Sequence, residues 1–329
     1  MTIMKQFLGA AATLALVAGS ALAEPALIYD LGGKFDKSFN EAAFMGAERW
    51  KAETGGSYKE LEMQSEAQRE QALRRLAETG ANPIVMTGFA FGDVLNAVAP
   101  DYPNTRFAIV DMVVDQPNVR SVVFTEEQGS YLVGVMAALA TRTATVGFIG
   151  GMDIPLIRKF GCGYVQGVKA TNPAADVIQN MTGTTPTAWN DPVKGAELAQ
   201  SQISQGADVI YAAAGGTGIG VLQAAADGDI LSIGVDSNQN HLQPGSVLTS
   251  MLKRVDNAVY DAFKSGDALE TGINVMDLAA GGVGFAMDEN NAALVTPEML
   301  AAVEEAAAKI ISGEIMVHDY MSDNTCPVN

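Results

Sequence analysis

The sequence is short of the residues that most often hold metals or move protons. It has two cysteines, Cys162 and Cys326, and two histidines, His241 and His318, all far apart along the chain. With no CxxC pair and no histidine cluster, a zinc site, which needs about four such ligands, is not expected. There is no Gly-x-Ser-x-Gly elbow, no HExxH and no P-loop ending in Gly-Lys-Ser/Thr. Neither histidine has an obvious nucleophile partner, so catalytic residues, metal and cofactor are all expected to be absent. Basic charge is scarce as well, with 20 Lys and Arg against 38 Asp and Glu, a formal net charge of −18. A surface so acidic repels phosphate backbones and anionic lipid, so nucleic acid is not an expected partner.

Long apolar runs are missing except at the start. Lys5 is the only charge in the first 23 residues, Phe7 to Ala18 is apolar, and Ala21-Leu22-Ala23 has the form of a cleavage site. Residues 1–23 therefore read as a signal peptide removed before Glu24. No cysteine follows the site, so no lipid anchor is expected. In an oxidising compartment Cys162 and Cys326 could pair and tie the C-terminal tail to the second half; the sequence leaves that open.

What the chain has in quantity is alternation. Strand patterns at Ala26–Asp30, Tyr58–Met63, Pro83–Thr87, Phe107–Asp111, Val119–Thr125, Thr145–Gly150, Asp176–Met181, Val209–Ala213, Leu231–Asp236 and Val247–Met251 are mostly separated by single helical patterns. Such spacing predicts doubly wound parallel sheets, and ten strands predict two α/β domains. The first turn, Gly32–Asn40, follows a strand and enters a helix. Ser38 and Glu41 form a capping-box pattern that starts the helix at Ser38. Phe39 and Asn40 then lie at a strand's carboxyl end, where open α/β sheets bind ligands. Phe39 reads equally as a platform for a flat ligand or as core. An echo appears in the second half: a double glycine, Phe160, then Gly167, spaced as Phe39 and Gly46 are.

A second turn, Gly215-Gly216-Thr217-Gly218-Ile219-Gly220, follows a strand and opens a helix, with Asp236 ending the next strand. The spacing is G-x-G-x-G rather than the dinucleotide pattern G-x-G-x-x-G. A carboxylate at Asp236 can accept both hydroxyls of a ribose diol with or without a phosphate nearby. The plainer alternative is a helix-start turn and a solvated aspartate.

Together, Gly32–Asn40, Ala214–Gly218, and the run Gly234-Val235-Asp236 with Thr249-Ser250-Met251-Leu252-Lys253 resemble the basic membrane protein family, the purine-nucleoside receptor type, through nearly the whole mature chain. The resemblance implies a type I periplasmic-binding fold, α/β, with two doubly wound lobes on a multi-strand hinge. One lobe would hold 24–125 and roughly 254–281, the other 126–253 and roughly 282–329. It implies no enzyme and no cofactor, but a solute-binding protein that closes on a nucleoside (adenosine, inosine or guanosine) and delivers it to the membrane subunits of an ABC importer. Phe39 would stack on the base, Asn40 and Asp111 would read its edge, and Phe160 and Trp189 would face it from the second lobe. Gly215 and Gly216 would lie near the sugar, and Asp236 and Lys253 would hold the ribose hydroxyls. Many relatives are lipoproteins, whereas Glu24 here follows the cleavage site, so the expectation is a free, unanchored, monomeric periplasmic protein. A sugar receptor of the same fold is the runner-up, ahead of a nucleoside-processing or dinucleotide-dependent enzyme.

Overall fold

The computed structural model describes residues 23–328. The leader predicted over 1–23 lies outside them but for Ala23. In chain order the elements are β1 (Ala26–Tyr29), α1 (Phe39–Thr54), β2 (Lys59–Glu62), α2 (Arg69–Glu78), β3 (Ile84–Met86), α3 (Gly92–Val98), β4 (Phe107–Val110) and β5 (Val119–Phe124). There follow α4 (Glu126–Ala140), β6 (Thr145–Met152), α5 (Pro155–Thr171), β7 (Asp176–Gly183), α6 (Pro192–Ser204), β8 (Val209–Ala213), α7 (Gly218–Asp227), β9 (Leu231–Asp236) and β10 (Val247–Lys253). The chain ends with α8 (Val255–Ser265), β11 (Gly272–Met276), β12 (Val283–Phe285) and α9 (Pro297–Ile311).

Two six-stranded sheets result, ordered β11-β5-β4-β3-β1-β2 and β12-β10-β9-β8-β6-β7. All pairs are parallel except β12, which runs antiparallel to β10. Every residue of β1, β3, β4 and β8 is buried. That follows from their position inside sheets covered by helices on both faces, which permits unbroken apolar runs. At the edge, β2 (Lys-Glu-Leu-Glu) buries less and alternates. The chain passes between the sheets three times: from β5 to α4, from β10 to α8, and from β11 to β12. Three strands of chain side by side are the elements of a hinge.

The predicted strands are all present within two residues at either end. The stretch Asn274–Asp288, read from sequence only as extended, supplies β11 and β12. The echo between the halves has a packing cause. Gly46 on α1 lies against the backbone of Asp256 on α8, and Gly167 on α5 lies against the backbone of Tyr131 on α4. A Cβ at either position would overlap a carbonyl, so each lobe uses glycine to seat one helix directly on another. Cys162 and Cys326 are bonded, their Cα atoms 5.6 Å apart. The bond fastens the tail to α5, where Gln166 also donates to the His318 carbonyl and accepts its N–H. Among the described residues no helix is long and apolar enough to cross a membrane, and no cluster of His, Cys, Asp and Glu could hold a metal.

Candidate functional site

Between the carboxyl ends of the two sheets lies a cavity of about 640 Å³, counting its mouth. From the first lobe it is lined by Asp30, Asp36, Phe39, Asn40, Phe89 and Asp111, among others. From the second come Ile157, Phe160, Trp189, Gly215, Asp236 and Lys253. Of the nine residues singled out from sequence, eight therefore share one cavity. Gly216 does not line it; it packs beside the Trp189 carbonyl and Asn190.

The entry to α1 is built differently from the capping box. The helix begins at Phe39, and the Ser38 hydroxyl makes no cap bond. Asp36 does that work: its carboxylate accepts the backbone N–H groups of Ser38, Asn40 and Glu41 at 2.8, 3.0 and 3.1 Å. A carboxylate suits the positive end of a helix dipole. Burial nevertheless pushes the Asp36 carboxyl up to about 7, against those backbone bonds, with Asp236 nearby adding repulsion. The turn before it needs Gly32 and Gly33, at φ +122° and +93°.

Phe39 serves both of its readings at once, packing on the first lobe's core while lining the cavity. Asn40 departs from expectation. Its amide donates to the Asp30 and Gly33 carbonyls, both at 3.2 Å, and its oxygen accepts the Thr87 hydroxyl at 2.9 Å. Both amide hydrogens are engaged within the lobe, so donation to a base edge is not open to Asn40 in this geometry. It holds the glycine turn in place instead. Trp189 ends a short 3-10 turn, Pro186–Trp189, and its ring lies over Gly151, where any Cβ would collide with it. Asp191 then caps α6 through the Lys194 N–H.

The floor of the cavity is ionic. Lys253 is 2% exposed and reaches Asp111 at 2.7 Å and Glu126 at 2.8 Å. Glu126 also meets Lys159 at 3.0 Å, and Lys159 meets Glu127 at 3.2 Å. The Lys253 ammonium stands 5.1–5.4 Å from the ring centres of Phe39, Phe124 and Phe160, a cation against three aromatic faces. Burial works against both lysines, but the surrounding carboxylates outweigh it and hold each above the ordinary lysine value. Burial pushes Asp111 up to about 6 despite Lys253. Burial also opposes ionisation of Glu126, yet Lys253 and Lys159 together hold that carboxyl below its ordinary value.

Asp236 and Lys253, both expected at the ribose, line the same cavity, where Lys253 is paired with Asp111 and Glu126 and Asp236 accepts the Ser38 hydroxyl at 2.5 Å. Asp111 and Asp236 both sit at positive φ, +72° and +63°, on turns leaving strand ends. Sequence reasoning missed Asp30, Asp36, Glu126 and Lys159. Asp30 lines the cavity and is held by Arg69 at 2.8 Å. Glu126 had one available signal, two acids directly after an apolar strand, where α4 begins.

Comparison with known proteins fits this architecture. The family described as ABC transporter substrate-binding protein PnrA-like matches residues 26–320. A CD4+ T-cell-stimulating antigen of Listeria monocytogenes is 35% identical over 89% of this chain and 87% of its own. The ABC transporter nucleoside-binding protein BmpA of Lactococcus lactis is 33% identical over 89% and 88%. A crystal structure of a solute-binding protein from Aeropyrum pernix, 29% identical, superposes with a TM-score of 0.82 over 90% of this chain and 93% of that one.

One expectation is corrected by such relatives. Proteins of Pyrococcus abyssi and Pyrococcus furiosus, 34% and 32% identical over 79% and 88% of this chain, are named lipoproteins. A free, unanchored periplasmic protein is therefore the wrong expectation. It rested on the absence of a cysteine beside the cleavage site.

Proposed function

This chain belongs to the PnrA-like (Bmp) family of ABC transporter substrate-binding proteins, and we propose that its own ligand is a nucleoside with a purine base. The observation that carries the reading is the make-up of the cavity. Rings from both lobes, Phe39 and Phe160, flank a space that also holds the carboxylates of Asp111 and Asp236 and one ammonium, Lys253. Flat faces suit a base, and a carboxylate in the same cavity suits a vicinal diol. A free base would bring no diol to Asp236, whose one protein partner among the described residues is the Ser38 hydroxyl.

In this reading the first lobe receives the nucleoside and the second swings in over it. Stacking contributes about 0.5–1.5 kcal/mol per aromatic pair beyond area burial. A hydrogen bond to a charged group contributes about 1.5–3 kcal/mol. After ordering costs, micromolar affinity, about −8 kcal/mol, is within reach. The Lys253 ammonium lies within 2.8 Å of both Asp111 oxygens and of Glu126, and a ligand hydroxyl would share its three N–H donors with them. Asp111 accepts from base nitrogens. The membrane subunits of an importer then recognise the closed form and release the ligand without covalent chemistry.

Calorimetry with inosine, guanosine, adenosine, cytidine and ribose tests this. Purine nucleosides should bind most tightly, and Phe39→Ala and Asp236→Ala should each weaken binding by about tenfold or more, 1.4 kcal/mol. Tighter binding of ribose than of any nucleoside, or normal binding by both variants, would overturn the reading. So would release of free base during incubation.

A further inference from the structure

At the rim of the cavity the two lobes touch through protein atoms alone. Lys37 and Ser38, entering α1, meet Val235–Gln239, leaving β9. The Ser38 hydroxyl donates to Asp236 Oδ2 at 2.5 Å. Ser237 Oγ donates back to the Ser38 carbonyl at 2.8 Å, and Gln239 Nε2 donates to the Lys37 carbonyl at 2.9 Å. Ser38 is fully buried and Asp236 only 7% exposed. Lys37 and Asp236 both stand at left-handed φ, +60° and +63°, uncommon for residues other than glycine.

None of these bonds needs a ligand, and none survives if the lobes part. Capping does not explain the Ser38 hydroxyl, because Asp36 caps α1. Asp236 is the shared element: Ser38 holds Oδ2, and the same residue lines the cavity, with no protein hydrogen bond at Oδ1 among the described residues. A carboxylate held by one fixed donor is restrained in its remaining rotation, so its free oxygen is aimed before the ligand meets it.

We infer that Ser38 is a positioning residue: by donating to Asp236 across the cleft it aims that carboxylate at the ligand and latches the closed form. The inference rests on the nucleoside reading. Its consequence is kinetic. The latch forms after first contact, so its loss changes how long the ligand stays rather than how fast it arrives.

The test compares wild type, Ser38→Ala and Ser38→Thr with adenosine, guanosine and inosine, measuring association, dissociation and the melting temperature without ligand. Ser38→Ala should release ligand about 10- to 100-fold faster, with association within about threefold of wild type. Its melting temperature should fall less without ligand than with it, because the bond exists only while the lobes are closed and a ligand favours that form. Ser38→Thr keeps the hydroxyl and should restore most of the slow release. In an Asp236→Asn background the Ser38→Ala change should cost little more. Wild-type release rates in a folded Ser38→Ala protein would overturn the inference. So would a fall in ligand-free melting temperature as large as that with ligand, which marks a merely structural role. If Ser38→Ala does not fold, Ser237→Ala, which removes only the bond to the Ser38 carbonyl, must also speed release, and an unchanged rate counts against the latch. If wild type binds ribose and no nucleoside, the nucleoside reading fails, and the same rate comparison on ribose still decides the latch.

Discussion

Lys253 Nζ lies 2.7 Å from Asp111 across the junction of the two lobes, and 2.8 Å from Glu126 at the first crossover between them. One lysine thereby joins the end of β10, the end of β4 and the start of α4. Lys253→Met would leave two buried carboxylates facing each other with only Lys159 near Glu126. Removing one partner of a buried pair typically costs about 3–5 kcal/mol. At roughly 1.5 °C per kcal/mol for a chain of about 300 residues, the melting temperature should fall by about 5–8 °C in scanning calorimetry. A second change, Glu126→Gln, should recover part of that loss, and an unaltered melting temperature in Lys253→Met would show that the charges are already relieved elsewhere.

Asn40→Ala separates holding the turn from touching the ligand. The three bonds of Asn40 stay within the first lobe, so the variant should lose about 1–3 kcal/mol of stability. Nucleoside affinity measured well below the melting temperature should change less than in Asp236→Ala. A variant of native stability with strongly weakened binding would make Asn40 a direct reader of the ligand.

The pH dependence should carry a mark from Glu127. Burial pushes its carboxyl from 4.5 up to about 7, with Lys159 opposing and Glu126 adding to the rise. The folded state therefore keeps a proton that the unfolded state has lost, and between pH 4.5 and 7 this group makes stability fall as pH rises. The full effect of such a shift is roughly 3 kcal/mol. Glu127→Gln should flatten the melting-temperature profile from pH 5 to 8. An equally steep profile in the variant would place the titration on another group.

Reduction should loosen the protein without dissolving either sheet. The Cys162–Cys326 bond closes a loop with a sequence separation of 164, so its loss should cost about 2–5 kcal/mol. Cys162 is two residues from Phe160 on the same helix. A Cys162→Ser, Cys326→Ser protein should melt earlier and also bind nucleoside more weakly than wild type. Earlier melting with unchanged affinity would confine the bond to stability.

Much of the scaffold was legible because its signals are local. Apolar runs bounded by glycines marked the strands within two residues, and Phe39, Asp111, Trp189 and Asp236 fell at strand ends or beside helix starts, with Phe160 in the second turn of α5. What could not be read is which partner each polar group takes. Ser38 looks like a cap, since Glu41 stands at the right spacing, yet Asp36 reaches the same amides first and frees the hydroxyl for the opposite lobe. Lys253 alone reads as a surface lysine, and only the fold brings Asp111 and Glu126 against it. Glu126 itself looks like an ordinary acid near a helix start. Its burial between two lysines depends on Lys159 and Lys253, which reach it only through the tertiary fold.

The order in which the sheets are filled also bears on how the molecule comes into being. β11, the edge strand beside β5, is drawn from residues that follow every strand of the other sheet but β12, and α8, the helix that covers Gly46 of α1, comes just before it. A chain growing from its N-terminus therefore has the means to complete neither half until almost all of it has emerged. Residues 24–125 alone would present α1 with a bare seam and β5 with an open edge. The two halves close late and together, so a truncation before Gly272 should leave an aggregation-prone intermediate, not a working single lobe.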